Sequence, residues 1–277
     1  MCSPDRYAVF GQPISHSKSP QIHTLFAQQT TQNLNYHAQE VGADRFETAT
    51  RDFFAQGGKG LNCTVPLKEL AYQFADQLTP RAEFAKAVNT LALQTDGSIL
   101  GDNTDGCGLV SDLMTNHQIT LKDKRILILG AGGASRGIIS PIMQQMPAHL
   151  VIANRTVEKA IALAVEFQSL GDIKGVGFDA LVNSQFDLII NATSASLSNQ
   201  LPPLADKLLA EHGDCYDLAY SNDPTAFVLW GIKNQAATSI DGRGMLVEQA
   251  AEAFYVWRGV RPNTPPAIAL LNQKSTV

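Results

Sequence analysis

Short apolar runs alternate along this chain with stretches whose apolar residues recur every three or four positions, and the alternation comes in two series. In the first, residues 7–10, 34–41 and 60–65 read as strands, while 20–29, 43–55 and 66–74 read as helices. Residues 90–94 and 98–101 flank Asp96-Gly97 and read as a hairpin. The second series opens at Lys124, with strands over 125–129, 149–153, 187–191 and 215–220. Helices are expected over 132–146, over 157–168 with Ile161, Ala164 and Val165 on one face, and over 244–257 with Leu246, Ala250, Ala253 and Trp257 at helical spacing. Such alternation predicts α/β layers and excludes a bundle or a sandwich. The break between the series falls near 105–124, along a connecting helix over 108–117.

One strand leads into a loop that carries chemistry. Ile126-Leu127-Ile128-Leu129 is the continuous apolar run of a buried parallel strand. It leads into Gly130-Ala131-Gly132-Gly133-Ala134-Ser135 and then a helical stretch. Glycines there let the backbone turn tightly and approach a pyrophosphate, which the helix N-terminus attracts. Ser135 stands where Gly or Ala is usual, but the strand before and the second strand over 149–153 supply the context of a Rossmann-type unit. The end of that second strand selects the cofactor. An NAD site places an acid there to accept from the ribose 2′-hydroxyl. This chain has Asn154-Arg155-Thr156, with Lys159 nearby, and a guanidinium suits the 2′-phosphate of NADP.

Composition narrows the classes further. With 277 residues, 44% hydrophobic and 17% charged, the chain suits two globular domains. Twenty-one basic against 26 acidic residues leave a net charge of −5, which argues against a nucleic-acid or membrane partner and means that an anionic ligand must be held by local groups. No apolar run has the length of a membrane span, and the N-terminal residues lack the layout of a signal peptide, so the cytoplasm is the expected compartment. The four cysteines, Cys2, Cys63, Cys107 and Cys215, lie far apart and read as free thiols. Neither they nor the six histidines show metal-ligand spacing, so no metal is expected.

Several segments carry more polar and special residues than structural loops need. They are Ser15-His16-Ser17-Lys18-Ser19-Pro20, Gly57-Gly58-Lys59-Gly60, Asn62-Cys63-Thr64-Val65-Pro66-Leu67-Lys68, Ala87-Val88-Asn89-Thr90, Asn103-Thr104-Asp105-Gly106, Asn191-Ala192-Thr193-Ser194 and Asp241-Gly242-Arg243-Gly244-Met245. In this order they closely resemble the shikimate dehydrogenases, NADP-dependent enzymes that interconvert 3-dehydroshikimate and shikimate on the route to aromatic amino acids and chorismate. The resemblance runs from Tyr7 to about Val260. It implies an N-terminal α/β substrate domain over 1–105 and 244–277, a Rossmann-type NADP-binding domain over 106–243, and an active site in the cleft between. By the same resemblance Ser17, Ser19 and Tyr220 hold the substrate carboxylate, and Thr64, Asn89 and Gln249 contact ring hydroxyls with the catalytic pair Lys68 and Asp105. Gly130, Ala131, Gly132, Gly133, Ala134, Ser135, Asn154, Arg155, Thr156, Lys159, Thr193, Ser194, Gly242 and Met245 are the implied cofactor contacts. A monomer or a homodimer fits this picture.

The residue chemistry supports these roles. Reducing a ring ketone needs a hydride and a proton donor at the oxygen, and the reverse reaction needs a base. Lys68 follows Pro66, a residue at home in a first helical turn, where the helix dipole opposes the ammonium's charge and Asp105 favours it. Ser19-Pro20 reads as a helix cap as well as a ligand contact, whereas Ser17 has no such second role, and His16 and Lys18 are expected in solvent. Gln249 lies four residues after Met245, so one helix can present both to the cleft. Cys63 and Cys107 flank site motifs and are expected to be small buried packing residues. Departures from the family pattern are Ala195-Ser196 where a glycine is expected nearby, Ala219 for a larger apolar residue, and the charges of Arg243 and Glu248. Two rival readings are an NAD-preferring quinate/shikimate dehydrogenase, which would place an acid near position 154, and a dinucleotide-sensing module without catalysis, which would need no proton donor.

Overall fold

Tyr7, Ala8, Val9 and Phe10 are all buried, so successive side chains fill both faces of one central strand. In the computed structural model, which describes residues 3–198, 200–204 and 207–273, this run is the centre of β1 (Asp5–Gly11). Cys2 lies outside the described residues. The chain divides into two compact units, Met1–Gly108 with Leu246–Gln273, and Leu109–Met245.

The first unit continues through α1 (Ser19–Gln29), β2 (Leu34–Glu40), α2 (Phe46–Ala55), β3 (Gly58–Cys63), α3 (Lys68–Phe74), β4 (Gln77–Leu78), α4 (Pro80–Ala85), β5 (Thr90–Leu93), β6 (Ile99–Asp102) and the start of α5 (Asp105–Ser111). Its six strands lie in the order β2-β1-β3-β5-β6-β4. β1 pairs in parallel with β2 and β3, and β5 runs antiparallel to β3 and β6. On one face Phe10, Leu61 and Leu91 pack with Phe46, Phe53 and Leu67. On the other lie Tyr7, Val9 and Tyr36. Ile22 and Phe26 of α1 pack with Val247, Phe254 and Ala267 of the returning segment.

The second unit holds a π-helical turn (Asp112–Asn116), β7 (Arg125–Leu129), α6 (Gly133–Met143), β8 (His149–Ala153), α7 (Val157–Phe167), β9 (Ile173–Val176), β10 (Phe186–Asn191), β11 (Leu209–Asp217), α8 (Ala226–Lys233), β12 (Thr238–Asp241) and the first residues of α9 (Arg243–Arg258). The last described element, α10 (Pro265–Asn272), belongs to the first unit. All six strands of the second sheet are parallel, in the order β12-β11-β10-β7-β8-β9. This is the doubly wound order of a Rossmann domain, in which ligands bind beyond the carboxyl ends of the strands. Ile126, Leu127, Ile128 and Leu129 are completely buried, each contributing about 1.5–3 kcal/mol relative to exposure. Among the described residues no helix is long and apolar enough to cross a membrane.

Several expectations are corrected. On α7 the buried face is Ala160, Leu163, Ala164 and Phe167, while Ile161 and Val165 stand 48% and 53% exposed. The small Ala160 faces inward because its backbone packs against Gly175 of β9. β11 begins at Leu209 and ends at Asp217, so Tyr220 follows the strand instead of closing it. α3 begins at Lys68, because Thr64–Leu67 closes a turn through Leu67 N–H to Thr64 O at 2.8 Å, which places Pro66 before the helix. α6 ends at Met143, and the connecting segment is α5 followed by the π-helical turn.

His23 of α1 is a buried exception to the apolar rule. Its ring stacks 4.2 Å from Tyr36 and lies 5.4 Å from Trp257, and neither ring nitrogen has a hydrogen-bond partner. Burial lowers its pKa from 6.5 to about 3. The folded state therefore keeps His23 neutral where the unfolded chain takes up a proton, so its contribution is full above pH 6.5 and is lost as pH falls from there toward about 3. His23→Phe should flatten the acid side of the stability curve by up to about 1.4 kcal/mol per pH unit. Urea midpoints measured from pH 7 down to pH 4 check this. A variant that loses stability as steeply as the parent would assign the slope to other groups.

Candidate active site

In the first unit the carboxyl end of β3 and the β6–α5 junction bring a lysine and a carboxylate together. Lys68, at the start of α3, places Nζ 2.5 Å from Asp105 Oδ2, with side-chain exposures of 30% and 18%. Two neighbours fix the pair. The Lys68 carbonyl accepts from Val88 N–H at 2.9 Å, and Asn89 Nδ2 donates to Asp105 Oδ1 at 2.8 Å. Asn89 also donates to Thr104 Oγ1 at 2.9 Å and to Gln249 Oε1 at 3.3 Å, while its own Oδ1 accepts from Thr104 N–H at 2.9 Å. Lys68, Asn89, Asp105 and Gln249 thus form one connected group.

Thr64 heads the same β3–α3 turn, with its N–H bonded to Phe10 O at 2.9 Å across the neighbouring β1. Ser17 lies in the loop between β1 and α1, and Ser19 opens α1. Here two readings are corrected. Lys18 occupies the cap position of α1 and Ser19 is the first helical residue, whose N–H donates to Ser17 Oγ at 3.3 Å. Ser17 therefore does have a structural role, and its hydroxyl hydrogen is left for another acceptor. Ser19 is buried, whereas His16 and Lys18 are exposed.

The positioning residues behind this group escaped the sequence reading. Asn62 Nδ2 donates to Asn89 O and Thr90 Oγ1, both at 3.0 Å, and Tyr36 donates to Asn62 Oδ1 at 2.7 Å. Arg81 grips the buried Asp102 through Nε at 2.7 Å and a second nitrogen at 2.5 Å, and reaches Glu252 at 3.0 Å. Cys107 is partly exposed and accepts from Arg81 at 2.7 Å, so its packing role is corrected to a polar one, whereas Cys63 is buried. Cys63, Cys107 and Cys215 are free thiols.

The second unit presents a row of strand ends. Leu129, Ala153, Asn191, Asp217 and Asp241 are register partners across the carboxyl edge of the sheet. Gly130 follows β7 with φ +103°, a conformation that favours glycine. Ser135, completely buried, donates from Oγ to Gly130 O at 2.8 Å and so locks the turn where Gly or Ala is usual. Gly132 caps α6 with no side-chain hydrogen bond, and a Cβ added at Gly132 or Gly133 would meet no protein atom within 4 Å. Packing thus does not demand glycine at either position. The first-turn amides, which a helix leaves without internal partners, and the exposed backbone of Gly132, Gly133 and Ala134 fit a pyrophosphate. Ala131 beside them is half-buried.

Beyond β8, Asn154 Nδ2 donates to Thr156 O at 2.9 Å, shaping a loop from which Arg155, Thr156 and Lys159 are exposed. Beyond β10, Thr193 donates from Oγ1 to Asn191 Oδ1 at 2.7 Å, and Ser194 is exposed. Asp217 is completely buried and collects Ser196 Oγ at 2.5 Å, Thr225 Oγ1 at 2.6 Å, Asn191 Nδ2 at 3.1 Å and Ala219 N–H at 3.1 Å. Burial pushes its carboxyl above the usual carboxylate range, and these donors pull the other way. The Ser196 departure is thereby explained as a donor to a buried acid. Glu248 is buried as well, accepting from Thr264 Oγ1 at 2.6 Å. Gly242 and Met245 follow β12 in this second unit, as does the 41% exposed Tyr220 after β11, while Gln249 belongs to the first.

Three family models match the chain: the shikimate dehydrogenase substrate binding domain over residues 9–91, shikimate / quinate 5-dehydrogenase over 112–199, and the shikimate 5′-dehydrogenase C-terminal domain over 242–271. The chain is 60% identical over 271 residues to the shikimate dehydrogenase (NADP(+)) of Methylococcus capsulatus, covering 98% of this chain and 97% of that one. Among solved structures, an Ael1 enzyme from Pseudomonas putida matches at 46% identity and a TM-score of 0.92, covering 97% and 98% of the two chains. The shikimate 5-dehydrogenase of Thermus thermophilus, in complex with NADP(H) and shikimate, matches at 29% identity and a TM-score of 0.84, covering 97% and 100%. A chain that carries the lysine–aspartate pair, the glycine turn and these likenesses along nearly its whole length belongs to the shikimate dehydrogenase family.

Proposed function

We propose that this protein catalyses the reversible, NADPH-dependent reduction of 3-dehydroshikimate to shikimate. The observation that carries the reading is the Lys68–Asp105 pair at 2.5 Å, with Asn89 holding the free carboxylate oxygen. When bound, NADPH supplies the hydride to the ring carbonyl carbon. Lys68 gives a proton from Nζ to the carbonyl oxygen, and in the reverse direction takes the hydroxyl proton back. Asp105 accepts from the amine and holds it in place. Asn89, Thr64 and Gln249 bind the ring hydroxyls, and Ser17, Ser19 and Tyr220 bind the carboxylate. The first unit is then the substrate domain.

The strand order of the second unit supports the cofactor's direction. A pyrophosphate on the Gly130–Ser135 turn lies beyond β7, and Arg155, with Lys159, stands beyond β8 on one side of it. With the 2′-phosphate on Arg155, the residues that would hold the nicotinamide are those on the other side, beyond β10 to β12. Thr193, Ser194, Gly242 and Met245 follow those strands. Asn154 and Thr156 shape the loop that presents Arg155. A cytoplasmic enzyme, as monomer or homodimer, completes the proposal.

The direct test is nicotinamide absorbance on mixing the protein with shikimate and NADP+, with NAD+ and quinate as parallel arms. Rapid reduction of NADP+ with shikimate alone is expected, and turnover mainly with NAD+ or quinate would overturn the assignment. Lys68→Ala should lower kcat by roughly 10²–10⁴-fold. A loss of only a few-fold with the fold intact would remove Lys68 from proton transfer. Arg155→Gln should raise the KM for NADP+ far more than that for NAD+, and equal changes in both would place the 2′-phosphate elsewhere.

A further inference from the structure

The first turn of α9 rests on a buried acid–phenol pair that the reaction itself does not use. Asp112 opens the π-helical turn and is completely buried. Its Oδ2 accepts from Tyr216 Oη at 2.6 Å and its Oδ1 from Asn116 Nδ2 at 2.8 Å, with His117 Nε2 at 3.6 Å. Tyr216, in the core of β11 and also completely buried, accepts in turn from Met245 N–H at 3.3 Å. A methyl group on Gly244 would overlap the Asp112 carboxyl. Asp241, at the end of β12, accepts from Arg243 N–H at 3.2 Å. The turn Gly242–Met245 is therefore pinned from beneath at three successive residues: Arg243 on Asp241, Gly244 on Asp112 and Met245 on Tyr216.

Helix N-termini leave their first amides without internal partners, and a buried phenol that both donates to a carboxylate and accepts such an amide has no remaining orientational freedom. Removing the phenol oxygen would leave the buried Asp112 Oδ2 and the half-buried Met245 N–H without this partner, and the turn would be free to shift. We propose that Tyr216 and Asp112 are positioning residues for hydride transfer, setting the height of the Gly244–Met245 turn against the nicotinamide. The proposal rests on the reading above that places Met245 at the nicotinamide end of the cofactor. Because the pyrophosphate turn and Arg155 stand beyond β7 and β8, the pair acts on the reacting end of the dinucleotide and not on its anchored end.

The test compares the single-turnover rate of hydride transfer with the Kd for NADP+, alongside thermal unfolding. Tyr216→Phe is expected to slow hydride transfer roughly 10- to 100-fold, the effect of a displacement near 1 Å in a reacting geometry. NADP+ affinity should stay within about threefold, because its anchors are untouched. Asp112→Asn keeps an acceptor for Tyr216, since the Asn116 amide can turn to match it, and should retain most of the parent rate, a fall as large as that of Tyr216→Phe counting against the proposal. A merely structural pair would lower the unfolding temperature of Tyr216→Phe and leave the hydride-transfer rate of the folded enzyme unchanged, which would overturn the proposal. So would a loss of NADP+ affinity in proportion to the rate. Gly244→Ala keeps every hydrogen-bonding group while displacing the turn, so it decides the matter should Tyr216→Phe not fold. It is expected to reproduce the slow rate, and an unchanged rate overturns the proposal. Met245→Ala separates the two levels. If it leaves rate and affinity alone, the placement of Met245 at the nicotinamide fails. If it slows the rate while Tyr216→Phe does not, only the positioning role fails.

Discussion

A carboxamide with 3% exposure, that of Asn89, uses both of its ends, and the geometry of the Lys68–Asp105 pair hangs on that. Its nitrogen reaches Asp105, Thr104 and Gln249, and its oxygen takes the Thr104 amide. A partly buried carboxylate facing a lysine is stable in one geometry only if its second oxygen also has a donor; otherwise burial costs more than the ion pair returns. Asn89 is that donor. Its orientation is fixed by a backbone amide, and so the direction in which Asp105 offers itself to Lys68 is inherited from the β-sheet. Behind it Asn62 bonds the Asn89 carbonyl, and Tyr36 bonds Asn62, so the line of fixed hydrogens runs from the site into the sheet.

The second unit solves the same problem with an acid in place of an amide. Asp217 ends a central strand, and four donors from Asn191, Ser196, Ala219 and Thr225 converge on it. The loops that follow β10 and β11 are thereby tied to one buried atom pair. Fixed loops at the carboxyl edge matter for a hydride enzyme, because hydrogen-bond donors that are already oriented need no reorganisation when the ligands react. In both units the polar anchor stands at the end of a strand, where side chains can be buried and yet lie within reach of the binding surface.

Much of the fold was legible, for a physical reason that also explains what was missed. β7 and β8 take the bounds read from the sequence, because a strand buried on both faces is written as an unbroken apolar run. The strands without such a signature, β4, β9 and β12, lie at sheet edges, and all four residues of β12 are only half-buried. Edge strands bury less and so carry less apolar signal. The apolar run Ala226–Lys233 shows no period that separates helix from strand, and its neighbours made it α8. In the site, Lys68 and Asp105 were readable through the resemblance, and the structure joins them at 2.5 Å. Asn62, Asp102, Asn191 and Asp217 were not read as anchors, since their bonds link segments far apart in sequence. One signal was present: each is a polar residue within or ending a strand, where an apolar one would continue it.

The chain carries a net charge of −5, yet both of its proposed ligands are anions. Long-range steering therefore cannot gather them, and attraction must come from cations close to the ligand. Most of the arginines are committed elsewhere: Arg51, Arg81, Arg125, Arg136, Arg258 and Arg261 each pair with an acid. Among the described residues Arg155 and Lys159 make no ion pair, and they stand exposed beyond β8. Arg155 and Lys159, with the single acid Glu158 between them, leave this corner with more positive than negative charge on a negative molecule. On the proposed assignment a 2′-phosphate placed there would gain a charge-assisted bond of about 1.5–3 kcal/mol, whereas a 2′-hydroxyl would find no acid at positions 154–156 to accept its hydrogen. The proposed preference for NADP over NAD thus rests on Arg155 and Lys159 standing outside the fold's ion pairs.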